Sequence, residues 1–123
     1  MPQWEPPSGA DEESVVCSHI LVKHQDSRRP ASWRDPNITI TKQQAIEKLT
    51  GLREAIVSGT HTFEEIAKAE SDCSSARNDG SLGRFGRGKM QKPFEDASFA
   101  LKPGELSGIV DTESGVHIIL RVA

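Results

Sequence analysis

Hydrophobic and polar positions follow two different periods along the chain, and each change of period marks an element. Apolar and β-branched residues fill positions 15–22 and 116–122, a pattern typical of strands. A shorter apolar stretch at 82–85, flanked by glycines, predicts another strand. Residues 109–110 are predicted to pair with the last strand as a hairpin, whose turn lies at 112–115.

Three other segments have helical spacing. Thr41 with Gln44 and Thr62 with Glu65 are capping-box pairs, so each predicts the start of a helix. Pro93 fits the first position of a third helix. The first helix places apolar residues on one face: Ile46, Leu49, Leu52 and Ile56. The order strand, two helices, strand, helix, two strands predicts an α+β fold with an antiparallel sheet.

Two segments lack periodicity. Residues 1–14 are rich in proline, glycine, serine and acidic residues, which predicts a flexible tail and leaves 15–123 as one domain. Residues 23–37 combine two prolines with several basic side chains, which predicts a long loop. Loops of this length in compact domains are usually functional or disordered.

Composition narrows the possible partners. With 123 residues, 35% hydrophobic and 27% charged, the chain suits one compact soluble domain, which we expect to be monomeric. Fifteen basic and eighteen acidic residues give a net charge of −3, so we expect no nucleic-acid partner. No apolar run approaches the ~20 residues that span a bilayer, so we expect no membrane partner. Cys17 and Cys73 stand without a CxxC pair, which indicates reduced thiols in an intracellular compartment.

Three cations stand at the end of the first strand and in the loop that follows: Lys23, Arg28 and Arg29. Arginine forks together with a lysine point charge suit a phosphate dianion. A solvated basic loop is the commoner explanation of such a cluster. Spacing alone leaves both interpretations open.

Two histidines and one cysteine form a second candidate group. His19 and His117 lie in predicted neighbouring strands, and Cys73 lies in a polar break of the chain. Each histidine alone is typical of a core residue bonded to its neighbours. Together with Cys73 they allow an imidazole-activated thiolate, although no nucleophile signature surrounds it. They also allow a zinc site, although a fourth ligand and the usual spacings are missing.

Several segments together resemble the phosphorylation-directed parvulins, a family of peptidyl-prolyl cis/trans isomerases. These segments are 19–24 (HILVKH), 27–30 (SRRP), 71–75 (SDCSS), 83–95 (GRFGRGKMQKPFE) and 114–120 (SGVHIIL). They occur in the family's order, and the resemblance extends from about Cys17 to Ala123.

The resemblance implies a four-stranded antiparallel sheet surrounded by four helices, and isomerisation of phosphoserine/phosphothreonine-proline bonds. The cations that would hold the phosphate are Lys23, Arg28 and Arg29. The proline pocket would consist of Leu82, Met90 and Phe94, which spacing alone would assign to the core. The hydrogen-bonded catalytic centre would consist of Cys73, His19 and His117, supported by Ser114 and Ser75. Because no substrate bond is broken, we expect no cofactor and no metal.

The expected partners are proteins phosphorylated at Ser/Thr-Pro sites, in the cytoplasm and nucleus. Many relatives carry a WW module, which needs two tryptophans on a three-stranded sheet. Here residues 2–9 resemble only its last strand, so we expect no such second phosphopeptide-binding domain in this chain. Two alternatives are a non-catalytic phosphopeptide-binding domain and a cysteine hydrolase.

Overall fold

The computed structural model describes residues 13–123, so residues 1–12 of the predicted tail lie outside it. Its elements follow the predicted order, with one 3-10 helix added. They are β1 (Ser14–Val22), α1 (Lys42–Val57), α2 (Phe63–Glu70), the 3-10 helix Ser74–Asn78, β2 (Ser81–Gly86), α3 (Lys92–Ala100), β3 (Val110–Thr112) and β4 (Gly115–Arg121). Ser14 already belongs to β1, so the first strand begins one residue before its predicted start.

The four strands form one antiparallel sheet in the order β2-β1-β4-β3. This confirms the predicted sheet. Within the described part of the chain, three α-helices and the 3-10 helix surround it. None of the helices in residues 13–123 is both long and apolar enough to cross a membrane.

The two central strands, β1 and β4, separate two apolar layers because successive side chains point to opposite faces. One face packs against α1 and α2 through the buried residues Ile20, Val22, Val116 and Ile118. The other face carries Val15, Cys17 and Ile119, which pack with Phe85 and Phe94. The alternation places His19 and His117 on this second face, which is covered by α3.

Both predicted capping boxes are present. The Thr41 hydroxyl accepts the backbone N–H of Gln44 at 3.1 Å, and the Gln44 side chain accepts the N–H of Thr41 at 2.9 Å. Thr62 and Glu65 repeat this arrangement with the same two distances. Each box satisfies N–H groups that a helix start leaves without a partner, which is why the sequence located both starts correctly.

Gly80 is required where the 3-10 helix leads into β2. Its φ is +88°, and its carbonyl accepts the His19 N–H at 2.9 Å. A Cβ at this position would lie 2.6 Å from the His19 carbonyl oxygen and 2.9 Å from the Ala67 Cβ. Neither neighbour can move freely, because one is strand backbone and the other lies in the buried face of α2.

We expect Gly80→Ala to lower the free energy of unfolding by about 2–3 kcal/mol, from backbone strain and overpacking together. Gly59→Ala is the matched control, since Gly59 has a similar φ of +82° with nothing within 4 Å of the added Cβ. It should cost only the backbone strain, about 1 kcal/mol. Urea unfolding measures both variants, and equal losses would contradict the close contact at Gly80.

Candidate active site

His19 and His117 come together because of the register between the two central strands. His19 pairs with Ile119 and Leu21 pairs with His117, so the two histidines are diagonal neighbours on one face of the sheet. Their Nδ1 atoms are 3.0 Å apart, and both side chains are buried. The Nε2 atom of His117 lies 2.8 Å from the Thr112 hydroxyl. The result is a hydrogen-bonded chain from His19 through His117 to Thr112.

One ring nitrogen in this hydrogen-bonded series lacks a partner among the described residues, and it indicates which nitrogen atoms carry the protons. His19 Nε2 is buried and has no hydrogen-bond partner in residues 13–123. A buried N–H without an acceptor is rarer than an acceptor without a donor. This favours a lone pair at His19 Nε2, so His19 donates from Nδ1 to His117, and His117 donates from Nε2 to Thr112.

Both imidazoles are neutral at physiological pH. Burial lowers the pKa of His19 to about 4. Burial and, to a smaller extent, the positive charge that His19 can carry lower the pKa of His117 to about 3. The Phe94 ring packs edge-on against both rings, with centroid distances of 5.4 and 5.1 Å. The floor of the site is therefore uncharged and largely apolar.

A cavity of about 440 Å³, here termed the active-site cavity, lies between the end of β1 and the segment 72–74. Its lining includes Leu21, the register partner of His117, but neither of the two histidines. Four predicted site residues line it: Lys23, Arg29, Cys73 and Ser114. The Lys23 side chain donates to the Ala31 carbonyl at 2.7 Å, and its backbone N–H donates to Asp72 Oδ2 at 2.9 Å. These bonds fix the start of the basic loop at the cavity wall.

Arg28 is placed differently from the other two cations. It forms an ion pair with Glu113, and its backbone N–H donates to the Glu113 carbonyl at 2.8 Å. Its side chain lines a neighbouring open cleft of about 590 Å³. Lys23 and Arg29 therefore line the same cavity, whereas Arg28 lines the neighbouring cleft and already binds a carboxylate.

The three predicted proline-pocket residues do come together. Leu82 and Met90 are half-buried and pack against the cluster that contains the buried Phe94. The loop before α3 is held by Glu95, a buried carboxylate that accepts the Gly88 N–H at 2.6 Å. This contact fixes the segment that carries Met90.

Comparison with known proteins identifies the arrangement. The family model for the rotamase PPIC-type PPIase domain matches residues 19–123. The chain belongs to this family, the parvulins. Pin1 of Arabidopsis thaliana is 58% identical over an alignment of 118 positions that covers 93% of this chain and 99% of the plant protein. ESS1 of Saccharomyces cerevisiae is 51% identical over an alignment of 133 positions that covers 98% of this chain and 78% of the yeast protein.

The fold agrees with the family. The structure of ESS1 from Candida albicans superposes with a TM-score of 0.88 at 46% identity, covering 89% of this chain and 63% of that one. All three relatives are named as peptidyl-prolyl isomerases. This parvulin is therefore a peptidyl-prolyl cis/trans isomerase. These relatives do not support the alternative interpretation, a phosphopeptide-binding domain without catalytic activity.

In a cysteine hydrolase, the nucleophilic thiol is hydrogen-bonded to an imidazole. In the described residues of this parvulin, the Cys73 thiol has no such bond. Cys73 is the N-cap residue of the 3-10 helix and is partly exposed in the cavity. Within residues 13–123, the imidazoles bond to each other and to Thr112, and not to the Cys73 thiol. The described residues also contain no group of three side chains suited to a metal. The geometry thus supports neither the thiolate–imidazole pair nor the zinc site considered from the sequence.

Sequence reasoning missed two polar residues of the parvulin site, Thr112 and Gln91. The Gln91 side chain donates to the Ser114 hydroxyl at 2.8 Å and accepts the Glu113 N–H at 3.1 Å. It thereby ties the start of α3 to the β3–β4 turn. The Ser75 hydroxyl is buried and has no hydrogen-bond partner in the described part of the chain, so it is not bonded to Ser114 or to the histidines.

Proposed function

We propose that this parvulin isomerises bonds between phosphoserine or phosphothreonine and proline in partner proteins, without covalent attack. One observation carries the proposal: Lys23 and Arg29 line the same cavity as Cys73 and Ser114. The apolar slot formed by Leu82, Met90 and Phe94 is connected to this cavity through Gln91, which follows Met90 in the chain and donates to the Ser114 hydroxyl. A phosphate and the next proline ring are separated in a substrate by a single peptide bond, so each could occupy its own subsite.

The chemistry is rotation about one amide bond. The uncatalysed barrier is ~18–20 kcal/mol, because the planar amide loses its resonance on twisting. The carbonyl of the twisted amide is less charged than that of the planar one, so it is tolerated better by an uncharged, apolar surface. The neutral histidine pair and Phe94 provide such a surface. Because the phosphate and the proline ring would be held at separate subsites, their binding energy can stabilise the twisted amide between them.

Cys73 is proposed to act by polarity and hydrogen bonding and not as a nucleophile. We expect Cys73→Ser to lower the turnover rate but to retain measurable isomerisation, since the polar contact is kept while nucleophilicity is lost. Exchange NMR on a proline peptide measures the rate. Mass spectrometry of the wild type during turnover tests the chemistry, and a substrate adduct on Cys73 would rule out the non-covalent mechanism.

The function itself is tested with two peptides that differ only in one phosphate. We expect kcat/KM for a phosphoserine-proline peptide to exceed that of the serine-proline peptide by about 100-fold, because charge-assisted hydrogen bonds contribute about 1.5–3 kcal/mol each. Exchange NMR measures both rates directly. Equal rates would exclude phosphate selection and leave a general prolyl isomerase.

The proposed partners are accordingly proteins phosphorylated at Ser/Thr-Pro sites, encountered in the cytoplasm and nucleus by a monomer. Both cysteines in the described residues are free thiols, which suits a reducing compartment. Imaging of the tagged protein tests the location, and sedimentation tests the monomer. Secretion or a stable dimer would contradict these assignments.

A further inference from the structure

A second cavity of about 290 Å³ adjoins the active-site cavity. It is lined by Trp33, Lys68, Ser74 and Arg77. Trp33 and Ser74 also line the active-site cavity, so the two spaces meet along these side chains. A ligand that occupied the active-site cavity would therefore lie next to the second cavity on this side.

Trp33 gives this cavity a fixed aromatic wall. Its indole N–H donates to the carbonyl oxygens of Ser71 and Cys73, at 2.9 and 3.2 Å. The side chain nevertheless remains 56% exposed. An exposed ring that is already held in place can contact a ligand at little cost in conformational entropy.

The cavity also presents two cations that have no carboxylate partner among residues 13–123. Lys68 lies in the last turn of α2, and Arg77 lies in the 3-10 helix. Both are exposed, and neither belongs to any ion pair within residues 13–123. The chain as a whole has a net charge of −3, so two cations at one cavity without an ion pair in the described residues form a local positive surface.

Two acidic side chains close to Lys68 in the sequence are engaged elsewhere. Glu70 pairs with Arg34 and with Lys48. Asp72 uses one carboxylate oxygen for the Lys23 N–H and the other for the Ser32 hydroxyl. Two others, Glu64 and Asp79, flank the cations in the sequence but form no ion pair with Lys68 or Arg77 within residues 13–123.

We propose that this cavity is an accessory subsite for a second anionic side chain, a phosphate or a carboxylate, on the same substrate segment as the isomerised bond. The inference rests on the proposed function, since it assumes that a peptide occupies the active site. An extended peptide advances about 3.3–3.6 Å per residue. Because the two cavities share Trp33 and Ser74, we expect the second anion to lie within a few residues of the phosphoserine-proline pair.

The test uses a series of phosphoserine-proline peptides that share one sequence. At successive positions on either side of the pair, a glutamine is replaced by glutamate or by a second phosphoserine. Because exposed ion pairs are individually weak, we expect kcat/KM to rise about three- to tenfold, and at positions on one side only. A gain with both replacements identifies any anion as the ligand, and a gain with phosphoserine alone identifies phosphate.

The double variant Lys68→Gln, Arg77→Gln should abolish this gain and keep the rate on the glutamine peptide. Lys102→Gln is the matched control, because Lys102 is exposed and belongs to neither cavity. The charge-reversed variant Lys68→Glu, Arg77→Glu should instead prefer a lysine at the same position. As an independent readout, the doubly anionic peptide should shift the Trp33 indole N–H resonance, and the double glutamine variant should reduce that shift.

The outcomes separate the two proposals. The accessory subsite alone is wrong if the wild-type protein isomerises the singly phosphorylated peptide but its kcat/KM does not rise with an added anion at any position. A gain that persists in the double glutamine variant overturns it as well. The proposed function is wrong instead if the wild-type protein has the same kcat/KM for the phosphorylated and the unphosphorylated peptide.

Discussion

Replacing both Arg28 and Arg29 by alanine is expected to lower kcat/KM on a phosphoserine-proline peptide by about 100-fold. The much slower rate on the unphosphorylated peptide should remain unchanged. Charge-assisted hydrogen bonds contribute about 1.5–3 kcal/mol each, and both side chains are exposed, so we take the lower end for the pair. A loss of 100-fold corresponds to about 2.7 kcal/mol. Exchange NMR on the two peptides measures the change.

The single variants should not be equivalent. Arg29 lines the active-site cavity, whereas Arg28 is paired with Glu113 and must release that carboxylate before it can bind a phosphate. We therefore expect Arg29→Ala to cause the larger loss. Lys102→Ala removes an exposed cation outside both cavities and should leave both rates unchanged. If the double variant lost kcat/KM equally on both peptides, the two arginines would stabilise the loop and would not select the phosphate.

Local signals made most of the fold predictable. The pairs Thr41–Gln44 and Thr62–Glu65 satisfy their own helix starts, so they act without help from distant residues. The strands were visible because alternation and β-branching report burial against a sheet. The 3-10 helix Ser74–Asn78 was not predicted, since five residues rich in serine carry no periodic signal.

The site was predictable only as far as the resemblance reached. His19 and His117 could be placed in neighbouring strands, but their 3.0 Å contact depends on a register that neither segment specifies alone. Thr112 and Gln91 were missed because a threonine beside a turn and a glutamine before a helix are normally exposed. The pairing of Arg28 with Glu113 joins residues far apart in the chain, so no local pattern could indicate it.

The buried histidine pair has a thermodynamic consequence beyond the active site. In the folded state, burial lowers the pKa values to about 4 for His19 and about 3 for His117. In the unfolded chain both return to about 6.5. Between these values the unfolded state binds more protons than the folded state. The free energy of unfolding must therefore fall as the pH falls through 6.5, and this contribution levels off only below about pH 3, the lower of the two folded-state pKa values.

We expect the free energy of unfolding to be about 4 kcal/mol smaller at pH 5 than at pH 8, about 2 kcal/mol from each histidine. Urea unfolding across this range measures the loss. His61→Gln, which removes an exposed histidine, should keep the full loss, whereas His117→Asn should remove about half of it. Should that variant not fold, NMR titration of the wild type decides. A midpoint near 6.5 for either buried imidazole in the folded protein would contradict a neutral pair.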